Sequence, residues 1–454
     1  MEKLEHKVTI VTIIIGLIMM FLVPTWQIPD EYTHLKMVGT SLKNDKFAEI
    51  LAEDVGIEGG RIMMHYEEKV DVQELKEAMV SMPKCEKDEL MPNGISLSVI
   101  KHLPSTIGIF LGIVVGLPTY WVLQLGELFS LLFYASICFL AMKFMPIKKE
   151  MFAIIILMPM ALQQAGGIGY DSVLMPLCFL MIAYLLHLKF KEEIRLRDVL
   201  CLLALWMLIT YIKMPYCFLI LLILTLPLEK FCFKIGKLYI DGKWFVKYWW
   251  IVGVIGLFAG VAVVYFLKDN FWIQLVIGLI KEWRRTLYLL IQTGKTWTSS
   301  LVISTVGNFG WLDTPVNDYV AMSMFLVLAA VAVINCDDNN KKRLGRWDVI
   351  VVCGTFGVLC LFTAFAMVNH TIMVTFYGSE FVNETYDIQT ALYQISYIGG
   401  LQGRYFLPFI SLFFLLFPQL RQIKGKKLWF SIAIFEIVIH VYVVHVLICR
   451  YWIT

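Results

Sequence analysis

The sequence predicts an all-α integral membrane protein of about eleven transmembrane helices, with residues 1–454 forming a single membrane domain. Of its 454 residues, 59% are hydrophobic and only 17% are charged, and the mean hydropathy is +0.72. Soluble chains carry about 25% charged residues, so this much apolar surface requires a bilayer as its solvent. The net charge of +3 is too small to indicate a nucleic-acid partner.

Eleven apolar runs are candidates to cross the roughly 30 Å hydrocarbon core. They are 8–24, 122–144, 150–166, 172–189, 198–212, 214–229, 248–268, 317–335, 347–369, 404–420 and 428–449. With these spans, the basic connecting residues all fall on one side, which the positive-inside rule assigns to the cytoplasm. They lie at positions 3 and 7 and in 143–149, 189–197, 230–247, 341–346 and 421–427. The protein is therefore expected to be a multi-pass protein of the cell (plasma) membrane.

A further apolar stretch, 103–120, is interpreted as a juxtamembrane helix that does not cross the membrane. Counting it as a span would move the lysines of 143–149 and 189–197 to the outside. The extracytoplasmic loops are then 24–121, 269–316 and 370–403. Within the middle loop, 270–292 carries two tryptophans and two arginines and is expected to be an interfacial helix.

Two carboxylates directly follow the first predicted helix, at Asp30 and Glu31. A carboxylate at the membrane surface can act as general base for an acceptor hydroxyl if burial raises its pKa. Alternatively, such charges simply remain in water at a helix end. Glu31 and His34 are three residues apart and share a helix face, as metal ligands sometimes do. No metal ligands are assigned, and Mg²⁺ or Mn²⁺ dependence stays open.

Three other polar positions interrupt apolar sequence on the predicted outer side. Asp171, after Tyr170, could cap the following helix or line a ligand site. Lys213 occupies a short turn, where it could snorkel or bind a lipid phosphate. Arg404, close to Gln402 and several glycines, could anchor the interface or approach a phosphate.

Two further groups have a structural and a functional interpretation. In the aromatic turn 307–315, Trp311 suits a membrane-interface position and Asp313 suits a helix N-cap. Inside the last predicted span, Glu436 and His440 are one helical turn apart. Ionisable residues within a membrane are functional candidates, although a mutually satisfied structural pair explains them equally well.

Five strings, taken in order, resemble a family of bacterial polytopic membrane proteins catalogued as domain of unknown function 2142 (DUF2142). These strings are PDEYTH, QQAGGIGYDS, KMPY, GWLDTP and LQGRYFLP, and the resemblance extends from residue 9 to about residue 420. That family looks like a branch of the GT-C membrane glycosyltransferases. One departure is His102-Leu103-Pro104, where relatives often have His-Pro-Pro, so no role is assigned to His102.

The resemblance implies an inverting glycosyltransferase that moves sugar from a polyprenyl-phosphate carrier to a cell-envelope glycan or lipid, for example a cell-wall polysaccharide. The site would face away from the cytoplasm, with membrane lipids around it. Asp30 would be the base, with Glu31 beside it, while Arg404 and Lys213 would bind the carrier phosphate. The sugar or acceptor would be bound by His34, Tyr170, Asp171, Trp311, Asp313 and Gln402. The alternative is a lipid-linked sugar flippase or a proton-coupled transporter.

Overall fold

The structure of the protein is a computed structural model that is described here for residues 4–54, 69–70, 72–81, 87–235, 238–266, 268, 270–335, 342–377, 387–422 and 425–453. Within these ranges the α-helices α1 to α19 are, in chain order, Leu4–Leu22, Glu31–Ser41, Phe47–Asp54, Val72–Ser81, Lys87–Leu90, Leu103–Val115, Thr119–Phe144, Lys149–Ile156, Pro159–Ala165, Asp171–Phe190, Leu196–Ile212, Gly242–Phe266, Phe271–Lys281, Trp283–Val306, Asp318–Ala332, Arg346–Tyr377, Ile388–Gln394, Ile410–Leu415 and Gly425–Tyr451. The 3₁₀ helices are Leu97–His102, Met214–Thr225, Leu228–Lys230, Gly403–Tyr405 and Leu407–Phe409.

The few β-strands are short and lie between the helices. They are β1 Ile194–Arg195, β2 Phe231–Ile235, β3 Leu238–Ile240, β4 Asn308–Phe309, β5 Thr314–Pro315, β6 Ile334–Asn335 and β7 Arg421–Gln422. β2 pairs with β1 in parallel and with β3 antiparallel, β4 and β5 form an antiparallel pair, and β6 and β7 are parallel. Because helices make up most of the described structure and the strands are only two to five residues long, the predicted all-α membrane class is confirmed.

Within the described ranges, six helices are long and apolar enough to cross a membrane. They are Leu4–Leu22, Leu97–Val115, Thr119–Phe144, Asp171–Phe190, Arg346–Phe376 and Leu428–Tyr451. Shorter apolar helices occupy several other predicted spans. The chain is thus a multi-pass membrane protein, while the number of eleven spans stays a prediction.

Two predicted spans differ from regular α-helices. The run 150–166 is divided into α8 and α9 before Pro159, because proline lacks the N–H that would continue the helical bonding. The run 214–229 contains the 12-residue 3₁₀ helix Met214–Thr225. At about 2.0 Å per residue this helix extends for about 24 Å, although most 3₁₀ helices are only three or four residues long.

Helix α6 packs antiparallel against the first half of α7. A Cβ on Gly108 would lie 2.3 Å from the carbonyl oxygen of Leu125, so only glycine permits this contact. Gln124 of α7 lies 3.4 Å from the Thr25 hydroxyl, just beyond the end of α1. Tyr120, where α7 begins after α6 ends, lines a small cavity together with Pro24 and Thr25. His102, just before α6 begins, contacts His34 of α2. Both ends of α6 are therefore on the side where α1 ends, which favours the juxtamembrane interpretation, although length and composition alone would let Leu97–Val115 span.

The core of the molecule surrounds α8, α9 and α10, where almost every side chain is buried. A second cluster joins α2 and α3 to α6 and α7, so the described part of loop 24–121 packs onto the bundle. A third cluster joins α13, α14, α16 and α17. The second and third clusters hold the described parts of loops 24–121, 269–316 and 370–403 against the helices that they connect.

The predicted interfacial helix 270–292 is divided between α13 and α14, which meet at Glu282. Arg285 does not reach outward as a headgroup anchor would. Its guanidinium donates to the carbonyls of Leu392, Tyr393 and Ile395, at 2.9, 3.1 and 2.6 Å. These carbonyls end α17 and lack helical partners, so Arg285 ties the loop 370–403 to α14.

Candidate functional site

The turn between α1 and α2 carries the first site residues in an unusual backbone conformation. Trp26 and Asp30 have positive φ angles of 71° and 68°. This left-handed region is costly for most residues but tolerated by aspartate. The Asp30 carbonyl accepts the backbone N–H of His34 at 2.9 Å, which starts α2. The turn therefore presents the Asp30 and His34 side chains together.

Glu31 is buried behind this turn. Its carboxylate accepts the backbone N–H groups of Trp26 at 2.9 Å and Ile168 at 3.0 Å. Burial raises the pKa of Glu31 from 4.5 to about 7, although these backbone N–H groups act in the opposite direction. Glu31 thus fastens the turn to the glycine-rich segment before α10, and it does not line the cavity described below.

Arg404 connects three of the five strings. Its side chain is only 2% exposed, and Nη2 lies 2.5 Å from Oδ2 of Asp30. Nη1 donates to Oε1 of Gln164 at 3.1 Å and lies 3.9 Å from Oδ2 of Asp171. A buried cation requires such partners, because removing it from water is otherwise very costly.

The backbone beside Arg404 is fixed by α14. Gly403 donates its N–H to the Ser304 hydroxyl at 2.9 Å. A Cβ on Gly403 would lie 2.1 Å from the backbone nitrogen of Thr305, so glycine is required by close approach. The sequence LQGRY therefore places Arg404 by packing its glycine against α14.

A cavity of about 430 Å³ opens beside the Asp30–Arg404 ion pair. It is lined by Asp30, Thr33, His34, Met37, Tyr170, Lys213, Pro215, Tyr216, Thr363, Ala366, Met367, His370, Gly400, Gln402 and Tyr405. Five of the predicted site residues, Asp30, His34, Tyr170, Lys213 and Gln402, are among them. The wall from α16 was not predicted, since Thr363 and His370 lie in a long apolar helix and were not singled out.

Lys213 enters the cavity between α11 and the 3₁₀ helix Met214–Thr225. Its Nζ lies over the rings of Tyr405, Tyr170 and Tyr216, at 4.2, 5.2 and 5.9 Å from their centroids. Aromatic faces attract a cation without neutralising its charge. In the described part of the chain, no carboxylate lies within 4.0 Å of this nitrogen. Lys213 therefore offers a positive charge to an anionic ligand.

His34 faces the cavity with a second histidine behind it. Nδ1 of His34 and Nε2 of His102 are 3.1 Å apart, and the Tyr170 ring packs edge-on against His34. Burial is the main cause that lowers the pKa of His34 to about 4. His34 is therefore neutral at ordinary pH, and His102, to which the sequence assigned no role, is its hydrogen-bonding neighbour.

Asp171 lies beside the cavity and does not line it. It begins α10, where no side-chain capping bond forms, so the cap interpretation does not hold. Its carboxylate instead faces the Arg404 guanidinium at 3.9 Å. Asp171 thus contributes to the charge balance of Arg404.

Trp311 and Asp313 lie apart from the residues that line the cavity. Nε1 of Trp311 donates to the Trp26 carbonyl at 2.8 Å, which supports the turn that carries Asp30. Asp313 accepts two bonds from Arg450, at 2.8 and 3.0 Å. The N-cap of α15 is Asn317, which accepts the N–H of Tyr319, and not Asp313.

Glu436 and His440 form a separate buried pair in α19. His440 Nδ1 lies 2.7 Å from the Glu436 carbonyl oxygen and 3.5 Å from its carboxylate. Neither residue lines the 430 Å³ cavity. The structure thus keeps this pair away from Asp30 and Lys213.

Metal binding by Glu31 and His34 finds no support in their contacts. Glu31 bonds backbone amides and His34 bonds His102. Over the described ranges, no three His, Cys, Asp or Glu side chains converge as a metal-binding group.

Comparison with known families identifies the chain. The family model described as "Predicted membrane protein (DUF2142)" matches residues 13–413. Comparison with curated proteins and with solved structures gave no significant match. The matched region includes the five strings and the residues named above that line the cavity. The chain therefore belongs to the DUF2142 family of predicted membrane proteins.

Proposed function

We propose that this protein is a membrane glycosyltransferase that moves a sugar from a polyprenyl-phosphate carrier to a cell-envelope glycan or lipid on the extracytoplasmic face. The observation that carries the proposal is that one cavity contains both a partly exposed carboxylate, Asp30, and a cation without a carboxylate partner in the described chain, Lys213. The volume of about 430 Å³ is within the range of small-ligand sites, about 300–1,000 Å³.

Asp30 is the proposed base. Its side chain is 48% exposed, and Oδ2 contacts Arg404. The carboxylate takes the proton of an acceptor hydroxyl as that oxygen attacks the anomeric carbon. The bond from the anomeric carbon to the phosphate oxygen breaks, and the lipid phosphate leaves with the electron pair. Glu31, with its carboxylate bonded to backbone amides, supports Asp30 and does not share this step.

Lys213 is the proposed phosphate-binding cation. Arg404 was expected to share this role, but its guanidinium is buried and bonds Asp30, Gln164 and Pro29. Arg404 therefore orients Asp30, while Lys213 faces the ligand. Its charge accelerates the reaction only insofar as it binds the departing phosphate more strongly in the transition state.

Neutral polar groups complete the proposed sugar pocket. His34 is neutral, and Oε1 of Gln402 is buried without a hydrogen-bond partner in the described chain. Both residues, with Tyr170, line the cavity. An unpaired acceptor beside a cavity favours hydroxyl-bearing ligands such as sugars, because an unmade buried hydrogen bond is costly. The other predicted sugar-binding residues act indirectly. Asp171 faces Arg404, Trp311 bonds the turn that carries Asp30, and Asp313 bonds Arg450 of α19.

Substitution of Asp30 by Asn tests the base. In cells that lack the native copy, Asp30→Asn should reduce the envelope glycan product by about 10²–10⁴-fold, the usual contribution of a general base. The exposed carboxylate Asp318 provides a matched control, and Asp318→Asn should leave the product unchanged. Unchanged product from Asp30→Asn, at normal membrane abundance, would exclude Asp30 as the base.

Transport is the second candidate, and the buried Glu436–His440 pair is the observation that favours it. A proton-coupled carrier would need a titrating group within the membrane. Glu436→Gln should then abolish function while Asp30→Asn retains it. The glycosyltransferase proposal predicts the reverse, so the same assay separates the two functions.

A further inference from the structure

A second, much smaller cavity lies behind the turn that carries Asp30. It has a volume of about 10 Å³ and is enclosed by α1, α2, α7 and α9. Three polar side chains reach its wall, those of Glu31, Glu127 and Gln163, and the rest of the lining is mainly apolar. A space of about 10–15 Å³ holds a single body of the size of a water molecule.

Two carboxylates in this wall are buried without a cation. Glu127 is only 3% exposed, and its Oε2 accepts one bond, from Nε2 of Gln124 at 3.1 Å. Glu31 accepts backbone N–H groups only. In the chain as described, no lysine, arginine or histidine nitrogen lies within 4.0 Å of either carboxylate. A buried carboxylate that stays ionised is normally paired with a cation or coordinates a metal ion.

Gln163 supplies an independent sign of a ligand. Its side chain is 2% exposed and lines the small cavity. Neither its Oε1 nor its Nε2 has a hydrogen-bond partner among the described residues, although native proteins satisfy most buried polar atoms. An amide oxygen in this position is free to complete a set of oxygen ligands with the two carboxylates.

We propose that the small cavity binds one dehydrated monovalent cation of the size of Na⁺, held by Glu31, Glu127 and the Oε1 atom of Gln163. Carboxylate and amide oxygens are the ligands of hard cations. Mg²⁺ keeps several of its waters and demands octahedral coordination, and Ca²⁺ takes about 6–8 oxygens. Two carboxylates and one amide supply at most five oxygens, too few for Ca²⁺, and the cavity has no room for the waters that Mg²⁺ keeps. A bare monovalent ion of the size of Na⁺ fits the space.

The bound ion would join the helix ends that support the active-site turn. Glu31 also bonds the backbone of Trp26 and Ile168, so the ion would link α7 and α9 to both segments. This inference depends on the small cavity alone. It holds or fails independently of glycosyl transfer, because its test measures ion binding and stability.

Thermal unfolding of the purified full-length protein in detergent tests the site. At constant ionic strength and mildly alkaline pH, replacing choline chloride by NaCl should raise the unfolding midpoint saturably, since a ligand that binds only the folded state stabilises it. KCl should raise it less. Radiolabelled Na⁺ should bind with a stoichiometry of one per chain and be displaced by unlabelled NaCl.

Glu127→Gln and Gln163→Leu should each lose the response to NaCl. Gln163→Leu removes only the amide, so its response to NaCl still tests the ion site if Glu127→Gln fails to fold. Glu282→Gln is the matched control, since Glu282 lies between α13 and α14 and bonds Tyr393, and it should respond as the wild type does. Equal midpoints in NaCl, KCl and choline chloride, or an undiminished response in Gln163→Leu, would overturn the proposal.

Discussion

Arg404 places a permanent charge where almost no water reaches it, and its surroundings explain how the charge is tolerated. Asp30 and Asp171 supply two carboxylates, and the carbonyls of Gln164 and Pro29 accept further bonds. A planar guanidinium can meet several acceptors at once, whereas a lysine ammonium is a compact point charge. Arg404 therefore fixes the position of Asp30.

Removing Arg404 should destabilise the protein. Arg404→Met leaves Asp30 and Asp171 without their cation, and breaking a buried ion pair typically costs about 3–5 kcal/mol. Because Asp30 is half exposed, we expect the lower end of that range, measured by denaturant unfolding in detergent. Arg197, whose side chain is 73% exposed beside Asp198, serves as control, and Arg197→Met should change stability by less than about 1 kcal/mol. Equal effects of the two substitutions would contradict the assigned role of Arg404.

Glu31 makes stability depend on pH. Its pKa rises from 4.5 in the unfolded chain to about 7 in the folded one, so the folded state binds the proton more tightly. The stabilisation is complete below pH 4.5 and is lost as the pH rises towards 7. In choline chloride, the wild type should therefore lose stability relative to Glu31→Gln over this interval, by about 3 kcal/mol in total. A pH-independent difference between the two proteins would contradict the raised pKa.

At the scale of elements, the close packing of Gly403 on α14 positions the Arg404 segment. In Gly403→Ala the new methyl group would meet the Thr305 backbone at 2.1 Å, so the segment must move. Overpacking of this kind costs about 1–3 kcal/mol, and we expect loss of the glycan product as Arg404 shifts. Gly354 of α16 has open space around it, so Gly354→Ala should preserve both stability and product. Normal product from Gly403→Ala would contradict this role of α14.

Sequence reasoning found the polar strings of the site but not all of their partners. Asp30, Lys213 and Arg404 are recognisable because charged residues interrupt apolar runs at one predicted face. The pairing of His34 with His102, and of Asp313 with Arg450, joins residues 68 and 137 positions apart. Such pairs depend on how helices pack, which a single sequence does not reveal.

The irregular helices were likewise only partly predictable from the sequence. The hydrophobic pattern identifies 150–166 and 214–229 as apolar segments. It does not show that the first divides at Pro159 or that the second contains a 3₁₀ helix. Pro159 was a visible signal of the break. No comparable signal marks a 3₁₀ helix of this length, which tertiary contacts with α16 and α10 stabilise.

At the scale of the whole molecule, the position of α6 decides the topology. Because both ends of α6 lie near the end of α1, the turn at Leu117 should face outside the cytoplasm. Leu117→Cys should therefore react with a membrane-impermeant maleimide in intact cells, above the background of the native cysteines. Arg195→Cys, in the predicted cytoplasmic segment 189–197, should react only after permeabilisation. Labelling of Leu117→Cys only after permeabilisation would mean that α6 spans the membrane.

The large cavity is lined by residues of loops 24–121 and 370–403 and of the helix ends beside them, and its proposed ligand is a lipid-linked sugar. The most direct test is an experimental structure of the full-length protein with a non-transferable polyprenyl-phosphate sugar analogue. Glycosyl transfer from this ligand predicts phosphate density within contact distance of Lys213, with the anomeric carbon directed towards Asp30. Phosphate density at another site, with the cavity lined by Asp30 and Lys213 containing no ligand, would contradict it.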